Sequence, residues 1–196
     1  MIDPTTIQDL PSRRPQRADA RRNYEKLVTA ARDVFAEDGV SATLDDIARR
    51  AQVGPATLYR HFPTRQHLLE AVYLEEVEAI SRAAADLADL APWDALASWL
   101  REFVGYAATK RALANEMLTS IDRDAEVFRA SRAALMAAGG GLLERAQEAG
   151  VVRPDANFMD IARLLGGISC LNGAEPDEIE RLLDIVLDGL RYQPRD

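Results

Sequence analysis

The stretch Thr43-Leu-Asp-Asp-Ile-Ala-Arg-Arg-Ala-Gln-Val-Gly-Pro-Ala-Thr-Leu-Tyr-Arg-His-Phe62 decides how this chain folds. It opens with a hydroxyl residue, Thr43, followed three positions later by the carboxylate Asp46, which is the start signal of a capped helix. Leu44, Ile47, Ala48 and Ala51 then form the buried face of a helix about two turns long. Gln52-Val53-Gly54 breaks it. Pro55 suits the first turn of a second helix, where its missing N–H costs nothing. Leu58 and Phe62 are the inward residues of that helix, and Pro63 closes it. Two short helices joined by a short turn containing glycine make a helix-turn-helix.

In such a motif the second helix enters the major groove and the first crosses the phosphate backbone. With Leu58 and Phe62 turned inward, Pro55, Ala56, Thr57, Tyr59, Arg60 and His61 face outward or sideways. Small residues allow close approach, and hydroxyls and a guanidinium supply hydrogen bonds. Thr57 can reach a base edge or a thymine methyl, whereas Tyr59 and His61 suit phosphate oxygens. Thr43 stands at a helix start, where backbone N–H groups favour an anion; Asp45 and Asp46 confine it to the Thr43 side.

Working outward, residues 1–18 hold three prolines and little apolar periodicity, and read as a flexible basic arm. A helix over about 20–38 carries Leu27, Ala31, Val34 and Phe35 on one stripe, with Gly39 placed to cap it. Beyond the motif a long helix is expected from Thr64 to about Leu90, stopped by Ala91-Pro92. Further helices are expected near 93–109, 111–119, 123–149, 155–172 and 177–191. Their breaks fall at Lys110-Arg111, Ser120-Ile121-Asp122, Gly150–Pro154 and Gly173–Pro176. The chain is therefore all-α, with about nine helices and no strand or internal repeat. Residues 19–66 form the helix-turn-helix domain, and 67–196 a helical bundle domain.

Composition limits the function further. Apolar residues make up 47% of 196, which excludes a disordered chain. A single cysteine, Cys170, leaves no disulfide framework and suits a reducing compartment. The N-terminal residues hold no apolar h-region, so no secretory signal is expected, and the longest apolar run, Ala133–Leu143, is too short to span a bilayer. A cytoplasmic protein is expected. The net charge of −8 argues at first against a nucleic-acid partner, but the charge is unevenly placed. Residues 1–70 hold 11 Lys/Arg against 10 Asp/Glu, while 71–196 hold 13 against 22. Arg13, Arg14, Arg17, Arg21, Arg22 and Lys26 make a basic end on an acidic body, and such polarity can orient that end toward phosphate.

The quoted stretch, with Pro63-Thr-Arg-Gln-His-Leu-Leu69 after it and Ala30-Ala31, Val34-Phe35 and Gly39 before it, resembles the DNA-binding domain of the TetR family of bacterial regulators. The resemblance covers about residues 20–70; the remainder matches in helical architecture alone. It implies a homodimer bound to a palindromic operator in double-stranded DNA, with repression as the default. It implies phosphate contacts from Thr43, Tyr59, His61 and Arg65, the last standing where the family usually has lysine. It assigns base reading to Pro55, Ala56, Thr57 and Arg60. Gly54 stands where a serine is common.

In the second domain, helix 177–191 carries Ile179, Leu182, Leu183, Val186, Leu187 and Leu190, and helix 155–172 is apolar on more than one side. A helix apolar on two sides must bury two sides, so these two are expected to pair with their copies in a second subunit, with Gly166-Gly167 allowing close approach. Dimerisation also serves the DNA reading, since two recognition helices must reach grooves roughly 34–36 Å apart. By likeness to the family, the large residues of the middle helices are candidate walls of a cavity for a small apolar or amphipathic effector: Trp99, Phe103, Tyr106, Met117, Phe128 and Met136. The alternative is a constitutive DNA-binding dimer without a ligand, those residues being core. Gly139-Gly140-Gly141 marks either a kink or a close approach by a helix or ligand. His61 and His67 lie six apart without a cysteine or carboxylate at ligand spacing, so no metal and no cofactor is expected. No nucleophile–base pair or phosphate loop points to an enzyme.

Overall fold

A computed structural model of the protein describes residues 14–38, 41–117, 126–171 and 173–191. Among these residues the fold is all-α, as the sequence predicts. Eight helices follow in order: α1 (Ala18–Asp38), α2 (Leu44–Arg50), α3 (Pro55–His61), α4 (Arg65–Asp86), α5 (Pro92–Met117), α6 (Glu126–Glu148), α7 (Phe158–Ile168) and α8 (Pro176–Leu190). One isolated antiparallel bridge joins Val152 to Arg191.

The expected break at Lys110-Arg111 is absent, and α5 runs through it to Met117. Two basic residues in succession are good helix formers, and neither glycine nor proline interrupts there. Gly39, the Ser120-Ile121-Asp122 break and most of the basic arm lie outside the described residues. The long helix ends four residues earlier than expected, at Asp86, and a turn carries the chain to Pro92.

The chain divides into two compact units. Among the described residues, one takes 14–76 together with those of Thr109–Arg129; the other takes Val77–Ala108 and those from Ala130 onward. In the first, α1 buries Tyr24, Leu27, Val28, Ala31, Val34 and Phe35, the stripe read from the sequence extended one turn toward the N-terminus. Ile47, Ala48, Leu58, Phe62, Leu68 and Val72 complete that core. Arg14, just before α1, binds Glu75 on α4 at 2.8 Å, and Arg32 of α1 pairs with the adjacent Glu76, so two charged contacts tie this part of the chain to the middle of α4.

In the second unit, Trp99 is fully buried and its Nε1 donates to the carbonyl of Ile80 at 2.8 Å. Phe103 stacks on Trp99 at 5.3 Å between centroids, and Phe158 leans against both at 5.6 and 6.2 Å. The glycine run separates into two cases. A Cβ on Gly139 would stand 2.1 Å from the Phe158 ring and 2.8 Å from Trp99, so Gly139 exists to let the aromatic cluster approach α6. A Cβ on Gly140 would meet nothing within 4 Å.

Candidate nucleic-acid interface

The interface is built from three helix ends, and each is held by a different device. At the start of α2, Thr43 has extended backbone (φ −105°, ψ 153°) and its Oγ1 accepts from the Asp46 N–H at 3.1 Å. The same hydroxyl donates to the Asp46 carboxylate, which also receives Arg49 at 2.8 Å. The Thr43 hydroxyl first, and Arg49 after it, hold the Asp46 carboxyl below its ordinary value. The capping box expected from spacing is thus present. Leu44, expected in the buried face, is only half-buried, because as first helical residue it has no preceding turn to cover it. Ile47, Ala48 and Ala51 are buried as expected.

The turn after α2 closes by two backbone hydrogen bonds, Gln52 N–H to Arg49 carbonyl at 3.1 Å and Val53 N–H to Ala48 carbonyl at 3.0 Å. This is a Schellman closure, which requires a left-handed residue. That residue is Gln52, with φ +55°, and not the glycine of the turn. Gly54 instead has φ −63° and ψ 144° and serves as the N-cap of α3 without a side-chain cap. The sequence reading placed the glycine in the turn and missed the role of Gln52. A cap offset from Arg50 would have found it, since the residue two past the helix end takes that conformation.

Helix α3 then presents its residues as the inward pair dictates. Leu58 and Phe62 are fully buried, and Phe62 also closes the helix with its N–H on the Leu58 carbonyl at 2.7 Å. Pro55, Ala56, Tyr59 and Arg60 are exposed, and Thr57 and His61 are half-buried. Tyr59 stands 48% exposed, large for an aromatic side chain. His61 packs edge-on to Tyr24 of α1 at 6.4 Å and beside Phe62 at 6.2 Å. Burial, and then the Arg60 charge, lower its pKa from the ordinary 6.5, so it stands neutral at pH 7. Tyr24 was not singled out in the sequence, although it sits three residues before Leu27 and continues the α1 stripe.

At the start of α4 the Thr64 hydroxyl accepts from the His67 N–H at 3.3 Å. Arg65 is half-buried, with its guanidinium over the Phe35 ring at 4.8 Å and a donor on the Ala42 carbonyl. Arg50, at the far end of α2, holds Glu37 of α1 by two bonds of 2.7 and 2.6 Å, which keeps the Glu37 carboxyl below its usual range. The structure therefore gathers Thr43, Pro55, Ala56, Thr57, Tyr59, Arg60, His61 and Arg65 into one unit.

The candidate effector residues fall elsewhere. Trp99, Phe103 and Tyr106 are buried on one stripe of α5, and Met136 on α6 is half-buried. The side chains of Met117 and Phe128 lie outside the described residues. The hydroxyls of Ser81 and Ser131, which the sequence reading did not consider, are buried without a hydrogen-bond partner.

On α7 and α8, Leu165, Leu183, Leu187 and Leu190 are buried, while Leu164 and Ile185 are exposed, as is Leu171 just past the end of α7. No helix among the described residues is long and apolar enough to cross a membrane.

Comparison with known proteins agrees with this arrangement. A family model described as bacterial regulatory proteins, tetR family, matches residues 27–72. A second, described as the C-terminal domain of SbtR-like transcriptional regulators, matches residues 91–192. The chain is 27% identical over 152 residues to the HTH-type transcriptional regulator UidR of Escherichia coli K12, covering 75% of this chain and 78% of UidR. A solved TetR transcriptional regulator from Streptomyces coelicolor is 39% identical, with 87% and 99% of the two chains covered and a TM-score of 0.76. A TetR regulatory protein from Mycobacterium vanbaalenii is 37% identical over 91% and 100%, with a TM-score of 0.74.

Proposed function

Since the chain belongs to the TetR family of bacterial transcriptional regulators, we propose that it is a homodimeric repressor of the cytoplasm, released from a palindromic operator by a small apolar or amphipathic ligand. The observation that carries the DNA reading is the division of α3: Leu58 and Phe62 are fully buried, and Pro55, Ala56, Tyr59 and Arg60 stand clear of the protein. A helix anchored by two residues and open along the rest can lie in a major groove. Pro55, Ala56, Thr57 and Arg60 read bases, with the Arg60 guanidinium the strongest single discriminator. Tyr59 and His61 hold phosphate, and neutral His61 donates through a ring nitrogen. Thr43, at the start of α2, stands with them, and Arg65 belongs to the same DNA-reading element.

Dimerisation through α7 and α8 is supported by Leu164 and Ile185, at 57% and 67% exposure on helices whose other faces are buried. The effector reading is supported by the aromatic stripe on α5 and by the buried Ser81 and Ser131 hydroxyls, which a polar group on a ligand can satisfy. Helix α4 contributes to both units and is the natural lever between them. A coupling of about 1–3 kcal/mol through it changes operator affinity several-fold to a hundred-fold.

Selection of bound sequences from random DNA tests the reading. A recovered palindrome with half-sites about one helical turn apart supports it, and no enrichment at low salt overturns it. Titrating candidate effectors against the recovered operator tests the lever, which fails for any compound that binds without moving DNA affinity.

A further inference from the structure

Three segments of the DNA-binding unit meet at one guanidinium. Arg65 is the first residue of α4. Its planar head lies over the ring of Phe35, a fully buried residue of α1, and its edge donates to the carbonyl of Ala42, itself buried. Ala42 immediately precedes Thr43, the N-cap of α2. The Thr43 hydroxyl is engaged within its own turn by Asp46, so the place of Thr43 in space follows from where Ala42 is held. A guanidinium can stack by its face and donate along its edge at the same time; an ammonium is a point charge and cannot do both in that geometry.

We propose that Arg65 is a positioning residue of the DNA-reading element: it fixes Ala42 and the start of α2 against α1 and α4, and acts on DNA through that placement rather than as a phosphate ligand. This rests on the DNA-binding reading above and separates two roles within it. For a phosphate ligand, lysine substitutes well, and removing the charge lowers the slope of log affinity against log salt by about 0.9. For a positioning residue, lysine does not rescue and the slope stays.

The test uses the full chain as wild type, Arg65→Lys and Arg65→Gln. Binding to the selected operator is measured by fluorescence anisotropy across a salt series, and amide hydrogen exchange is measured on the DNA-free proteins. Both variants are expected to bind about tenfold more weakly, the loss of one charged hydrogen bond and its stack. Their salt slopes should match wild type within about half a unit. Amides of residues 42–47 should exchange faster in both, with those of α8 unchanged. Wild-type affinity in Arg65→Lys together with a slope lowered by about one in Arg65→Gln overturns the proposal. So does unchanged exchange over residues 42–47. If the wild-type chain enriches no operator, the DNA reading itself fails, and the exchange measurement alone decides the placement role.

Discussion

In the DNA-binding unit Ile47, Leu58 and Phe62 are fully enclosed by the chain itself, whereas on α7 and α8 Leu164 and Ile185 stand 57% and 67% exposed. The two regions use apolar side chains for different ends. The first is held within the chain: a capping box and a Schellman closure fix the two ends of α2, and the Arg50–Glu37 fork and the Arg65 stack tie neighbouring helices. The second leaves apolar surface on helices that are already packed on one side, and such surface is unfavourable in water unless something covers it. Rigid presentation of a few side chains suits recognition of DNA, and uncovered apolar faces suit pairing.

The widest test of that contrast replaces the exposed residues alone. Leu164→Asp with Ile185→Asp should leave the protomer folded by circular dichroism, since neither side chain lies in its core. Sedimentation should show a monomer, and operator affinity should fall about a hundredfold or more through lost bivalency. A dimer that persists would locate the pairing face elsewhere.

The glycine run gives a sharper pair of outcomes in the second unit. Gly139→Ala drives a methyl into Phe158 and Trp99 and should destabilise by about 1–3 kcal/mol. Gly140→Ala, one residue away with nothing within 4 Å, should stabilise by about 1 kcal/mol through helix propensity. Denaturant unfolding of the two variants measures both, and equal effects would remove the special place given to Gly139.

A smaller effect is expected from pH in the first unit. The folded His61 titrates below its ordinary 6.5, so the folded state binds fewer protons there than the unfolded chain. Stability from this group is therefore complete above pH 6.5 and is lost as pH falls through the lowered value. Melting temperatures of wild type and His61→Gln, compared from pH 7.5 downward, should converge on the acid side.

The smallest change concerns the one uncapped helix of the motif. Gly54 has extended backbone and open space around it, so Gly54→Ser can supply the missing cap of α3. A gain of a few tenths of a kcal/mol is expected in thermal unfolding. A loss would mean that the cap position is constrained by something other than backbone geometry.

Much of the first unit was legible because its signals are local. The cap at Thr43, the proline opening α3 and the inward pair Leu58 and Phe62 each lie within a few residues of what they control. The α5 continuity through Lys110-Arg111 was misread although the signal was just as local: a charged pair was taken for a boundary where neither glycine nor proline interrupts the helix. The left-handed Gln52 was hidden because glycine two residues later offered an easier explanation for the turn.

What the amino-acid order alone determined is the all-α class, the helix-turn-helix and the outward set on α3, since helical periodicity and capping chemistry are properties of the chain itself. Only the tertiary structure decided that Arg65 lies on Phe35 and Ala42, that Tyr24 backs His61, and that Gly139, unlike Gly140, makes room for Phe158. These are contacts between segments far apart in sequence, fixed by how the helices pack, and local pattern carries no information about which distant side chain fills a given space.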